Sequence, residues 1–142
     1  LDLDPARHER HNQKLQAKYK QMQEEEVRYE LIDCEDAEYL MVAYGSSARI
    51  SQKAIKLARA RGVRVGLIRP ITLYPFPEAI IRTLSERLKG ILTVELSSGQ
   101  MIEDVRLAVE GRVKVALCNR MGGMVFSPEE VSQALFDAFS IK

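Results

Sequence analysis

Four copies of one unit predict a wound α/β domain. Each copy is a short apolar run followed by a helix-length segment whose apolar residues recur three and four apart. The runs YLMVAY, VRVGLIR, ILTVEL and VKVALCN show no polar alternation, which marks strands covered on both faces and hence a parallel sheet between helical layers. Glycines follow three of the helical segments, at Gly62, Gly90 and Gly111, where positive φ turns the chain back toward the next strand.

Residues 5–30 precede these units and are rich in helix formers, with Leu15, Tyr19 and Met22 at i, i+4, i+7. Asp4 suits the cap of that helix and Pro5 its first turn. So thin an apolar stripe is expected to lie on a surface or to bridge to something beyond the domain. VRYELID then alternates weakly, as a short edge strand would, and CEDAE is a polar joint. In the first repeated helix Ile50, Ala54, Leu57 and Ala58 are placed on one face; in the second, Ile80, Ile81, Leu84 and Leu88 are. Residues 1–30 are therefore read as a leading helix and 31–142 as the domain.

Composition narrows the class. The chain is 46% hydrophobic and 29% charged, a globular balance, and no apolar run approaches the roughly 18 residues of a membrane span. With 21 Lys+Arg against 20 Asp+Glu, there is no overall attraction to nucleic acid or an anionic membrane. The opening LDLDPARHERHNQKLQ has neither a signal peptide's apolar centre nor a starting Met; it reads as a cut or processed end, and a cytoplasmic setting is the default. Cys34 and Cys118 are too few and too far apart for a zinc or iron–sulfur pattern, and Cys118 is simplest as a small buried hydrophobe.

In open α/β sheets ligands collect at the carboxyl ends of the strands, so four turns are candidates. Gly45-Ser46-Ser47 could hold an anion on backbone N–H groups with Arg49 nearby, or be a plain turn with a serine cap. Gly122-Gly123 could do the same, or supply only the backbone angles of a turn. Glu95, ending a buried strand, could act as a general base or be satisfied by backbone N–H groups or an arginine. Asp4, His8 and His11 share helical spacing but read better as a solvated face than as metal ligands, as does Glu24-Glu25-Glu26. In GLIRPITLYPFP, Pro70 ends a strand and Pro77 suits the start of a helix. Between them a stiff loop carries Tyr74 and Phe76, either for a protein contact or for packing on the domain's own second helix.

MVAYGSSARISQKAI, GLIRPITLYPFP, VELSSGQMIEDVRLAV and GGMVFSPEEV, in this order, resemble the C-terminal domain of the alpha subunit of 2-oxoacid:ferredoxin oxidoreductases, notably the 2-oxoisovalerate and 2-oxoglutarate types. PARHERHNQKLQAKYKQMQEEEVRYE resembles the helix joining that domain to the preceding one, and the likeness covers essentially the whole chain. The domain is similar to the transketolase C-terminal domain, which shares the strand–loop–proline entry seen from Arg69 to Pro77. The resemblance implies a three-layer αβα fold whose five-stranded sheet has order 1-3-2-4-5, with VRYELID as an antiparallel first strand.

The implied enzyme oxidatively decarboxylates a 2-oxoacid, passing the acyl group to coenzyme A and two electrons to ferredoxin. Thiamine diphosphate, magnesium and iron–sulfur clusters are implied for the whole complex, and none for this region, which lacks a GDG-type magnesium motif and closely spaced cysteines. No catalytic residue is carried over. The expected contribution is architecture: contact with the preceding domain and the other subunits through Tyr74, Phe76 and the Gln100-Met101 loop. The alternative is a binding module gripping coenzyme A or a nucleotide with the two glycine turns.

Overall fold

A computed structural model describes residues 4–142; the first three residues of the stretch read as a cut end lie outside the described residues. The elements are α1 (Pro5–Glu25), β1 (Tyr29–Ile32), β2 (Tyr39–Ala43), α2 (Gly45–Ala60), β3 (Val65–Pro70), α3 (Glu78–Ser85), β4 (Gly90–Glu95), α4 (Met101–Val109), β5 (Val115–Asn119) and α5 (Pro128–Phe139). They form one five-stranded sheet of order β1-β3-β2-β4-β5. β1 pairs antiparallel with β3, and the other pairs are parallel. This is the order and direction expected from the resemblance.

Side chains alternate across each strand, so the sheet builds two cores. Met41, Leu67, Leu92 and Val94 meet Ala54, Ile55 and Ala58 of α2 and Val131, Leu135 and Phe136 of α5. Val42, Ile68 and Ile91 meet Ile81 and Leu84 of α3 and Val105, Ala108 and Val109 of α4. Leu57 departs from its expected place: it sits on the flank of α2 and is 38% exposed, because Ala54, Ile55 and Ala58 take the contact with the sheet. β5 departs too. It was expected to be covered on both faces, yet as an edge strand it is only half-buried, with Leu117 exposed.

Helix ends follow local chemistry. Asp4 caps α1 by accepting from Ala6 N at 3.0 Å, as its sequence position suggests. At α5, Ser127 Oγ accepts from Glu130 N while the Glu130 carboxylate accepts from Ser127 N, a capping box with the S-x-x-E spacing typical of one. Gly62 has positive φ as expected. Gly90 does not act as a helix stop: it opens β4, and a Cβ there would lie 2.3 Å from Phe139 Cε1, so the position serves close packing of α5. α3 ends earlier, at Ser85, with Pro77 as its N-cap residue and not in its first turn.

The polar joint between β1 and β2 is held by two arginines. Arg59 of α2 donates to Asp33 O at 2.7 Å and pairs with Asp36, while Arg87, after α3, donates to the Cys34 and Glu35 carbonyls. By contrast α1 buries none of its residues; Tyr19 meets Tyr74 edge-on, ring centroids 6.4 Å apart.

Candidate functional site

β2, β3, β4 and β5 run parallel and end at one rim of the sheet, so the four candidate turns share an edge.

At the β4–α4 turn, Glu95 is 0% exposed. Its Oε2 accepts from Ser97 Oγ at 2.8 Å, Gln100 N at 3.0 Å and Met101 N at 3.0 Å, and its Oε1 accepts from Ile102 N at 2.9 Å. Those three N–H groups are ones the first turn of α4 cannot satisfy itself, and the N-terminal dipole favours an anion there. Glu95 is therefore a cap reaching across from the strand. A general base needs a reacting proton within hydrogen-bond reach, and here both oxygens are buried and already accept from the protein's own donors. Asp104, one turn into α4, has its carboxyl pushed above the usual range, chiefly by burial, then by the charges of Glu95 and Glu103. Met101 is buried in the α3–α4 core, whereas Gln100 is exposed.

The two glycine turns are open. Gly45 begins α2 with φ +55°, Ser46 and Arg49 are exposed, and Ser47 is buried. Neither serine caps the helix: the N-cap residue is Tyr44, with no side-chain bond. Gly122 and Gly123 have φ +66° and +85°, flanked by exposed Met121, Met124 and Val125. β4 lies between β2 and β5, so the turns are two strands, roughly 10 Å, apart, with the Glu95 turn between them.

The β3–α3 loop is fastened at its start. Ile71 N and Thr72 N both donate to Arg28 O, at 2.9 and 3.1 Å. Thr72 Oγ1 accepts from Arg28 N at 3.0 Å and donates to Pro75 O at 2.9 Å. Phe76 is half-buried against the α3–α4 core, while Ile71, Leu73 and Tyr74 are 52%, 48% and 59% exposed. The two aromatics between prolines thus divide: Phe76 roots the loop and Tyr74 projects. With the end of α1 the loop encloses a groove of about 570 Å³. Its apolar side is made of Val27, Tyr29, Leu73, Tyr74 and Ile80.

His8 and His11 are exposed on α1, and among the described residues no three His, Cys, Asp or Glu side chains stand together as a metal site. The acidic run separates into roles: Glu25 accepts from Gln21, Glu26 pairs with Arg28, and Glu24 borders the groove. Both cysteines are free. Burial raises the Cys34 thiol above its ordinary value and pushes half-buried Cys118 up to about 11, so neither is a ready nucleophile at neutral pH.

Residues 37–131 match the family described as pyruvate:ferredoxin oxidoreductase core domain II. Among curated proteins, the ketoisovalerate oxidoreductase subunit VorB of Methanothermobacter thermautotrophicus is 47% identical over 135 residues, 95% of this chain and 38% of that protein. The 2-oxoglutarate synthase subunit KorA of Methanocaldococcus jannaschii is 31% identical over 134 residues, 94% of this chain and 36% of that protein. The chain thus spans under two fifths of the length of these relatives. Among solved structures, 2-oxoglutarate:ferredoxin oxidoreductase from Magnetococcus marinus matches 97% of this chain and 24% of its own, with TM-score 0.83 and 22% identity. A split-gene transketolase matches 81% of this chain and 42% of its own, with TM-score 0.69 and 17% identity. At those identities the two structures speak for the fold, while the sequence matches speak for descent: the chain belongs to the pyruvate:ferredoxin oxidoreductase core domain II family.

Proposed function

We propose that this chain is the transketolase C-terminal-like domain of a 2-oxoacid:ferredoxin oxidoreductase subunit acting on 2-oxoisovalerate. The observation that carries the reading is the 47% identity to a ketoisovalerate oxidoreductase subunit across 95% of the chain, against 31% for a 2-oxoglutarate synthase subunit over a similar span. The whole enzyme would convert the 2-oxoacid and coenzyme A to acyl-CoA and carbon dioxide while reducing ferredoxin, in a cytoplasmic setting.

A magnesium ion and iron–sulfur clusters do not fit the described residues. Cys34 follows β1 and packs in the α3–α4 core, whereas Cys118 lies on edge strand β5 against the α2–α5 core. No acidic or histidine group joins either into a ligand set among the described residues. No chemical step is therefore assigned to this domain. Its role is architectural: Tyr74 and Gln100 present contact surface to the rest of the subunit and to its partners, while Phe76 and Met101 root the two loops in the core.

The test is a substrate comparison on the full subunit assembled with its partners. Coenzyme A-dependent ferredoxin reduction should be faster with 2-oxoisovalerate than with 2-oxoglutarate, and the reverse order would overturn the substrate assignment. Assembly followed by analytical ultracentrifugation should weaken in the Tyr74→Ala/Phe76→Ala variant; unchanged assembly removes the architectural role of this loop.

A further inference from the structure

The groove between the end of α1 and the β3–α3 loop has a charge imbalance that its apolar wall does not explain. Glu24, Glu78 and Asp104 line it, and none of the three makes an ion pair with a described residue. The one cation in its lining among the described residues, Arg82, points partly away: its guanidinium pairs with Glu110 at 3.0 Å, a carboxylate it shares with Arg112, and donates to Ala108 O at 3.3 Å. The described lining thus carries three carboxylates against one guanidinium, together with exposed Leu73 and Tyr74, at a volume within the range of ordinary binding clefts. The carboxylates do not stand together as a metal site among the described residues.

We infer that this groove receives a basic segment of an adjoining polypeptide of the complex, one that sets an Arg or Lys beside an apolar side chain. The apolar member covers Leu73 and the flank of Tyr74. The cation sits among the carboxylates and against an aromatic face, an arrangement that stabilises a cation once water is excluded. Backbone bonds from Ile71 and Thr72 to Arg28 hold one wall in place before the partner arrives, which lowers the ordering cost of docking. The inference rests on the architectural reading above and adds the chemistry of the partner to it.

The experiment measures affinity between the full-length subunit and its partner subunits at about 50 and 500 mM salt, for the parent and for Glu78→Gln/Asp104→Asn. Both positions are exposed and outside the core, so the double variant should melt as a folded protein, which its melting curve checks. Affinity should fall about tenfold or more at low salt and approach the parent's at high salt. Glu129→Gln, at an exposed position of α5 outside the groove, should change neither value. Equal affinity of parent and double variant at both salts overturns the inference. If Tyr74→Ala still weakens assembly in that case, the loop is an interface without a basic partner; if it does not, both readings fall. Self-association of the isolated chain that disappears in the double variant would assign the groove to a second copy and overturn the adjoining polypeptide.

Discussion

The β3–α3 and β4–α4 turns leave the same rim of the same sheet, separated only by β2, and they treat their chemistry in opposite ways. The β4–α4 turn directs its polar groups inward, where one carboxylate takes four donors and none of it meets solvent. The β3–α3 turn directs apolar groups outward, leaving Ile71, Leu73 and Tyr74 about half exposed on a backbone that is itself fastened. A place at the carboxyl rim is therefore not enough to make a functional site. What separates the two is whether a turn has satisfied its own groups or left apolar ones in solvent.

The sharpest way to break this contrast is to empty the first turn. Glu95→Ala leaves three backbone N–H groups at the start of α4 without their acceptor, those of Met101 and Ile102 buried, and should cost about 4 kcal/mol, lowering the melting temperature by roughly 10 °C or more in a circular-dichroism melt. Glu95→Gln keeps an acceptor but points an NH₂ at donors, so about half that loss is expected. A Glu95→Ala variant as stable as the parent would deny the cap.

The second turn should respond in the other measurement. Tyr74→Ala should change stability by about 0.5 kcal/mol or less, since the side chain is mostly outside, yet weaken assembly of the full subunit by about tenfold. The β5–α5 turn sharpens the contrast from a third side, because its cap is local. Ser127→Ala should cost about 1 kcal/mol in the same melt, well short of the Glu95 value.

The smallest effect is in acid. The Ser127 N–H, then Arg120, hold the Glu130 carboxyl below its ordinary range. A carboxyl lowered in the folded state stabilises fully above its unfolded value and loses that contribution as pH falls through the folded one. The stability difference between the parent and Glu130→Gln should therefore shrink below about pH 4.5 in urea titrations. A constant difference from pH 7 to 3 would show that the charge plays no part.

Much of the fold was legible because buried parallel strands carry uninterrupted apolar runs and the helices between them keep their period. The edges were less so. Leu117 looks like a core residue in sequence and is exposed only because no strand lies beyond β5. Gly90 looks like a helix stop, and its actual reason, the ring of Phe139, is 49 positions away along the chain. Glu95 was legible as a choice between base and satisfied carboxylate, and only the path of the β4–α4 turn decides it. For Tyr74 and Phe76 the sequence offered two roles for one pair; the structure gives the packing role to Phe76 and leaves Tyr74 outside. The acidic groove was not legible, because Glu24, Glu78 and Asp104 come from three separated segments.

The most direct measurement is amide hydrogen exchange on this domain within the assembled complex and alone. The account predicts that amides between Leu73 and Ile80 slow on assembly, while those of Met101 and Ile102, already bound to Glu95, exchange at the same slow rate in both. Unchanged exchange between Leu73 and Ile80, with new protection arising at Met101 and Ile102, would contradict it.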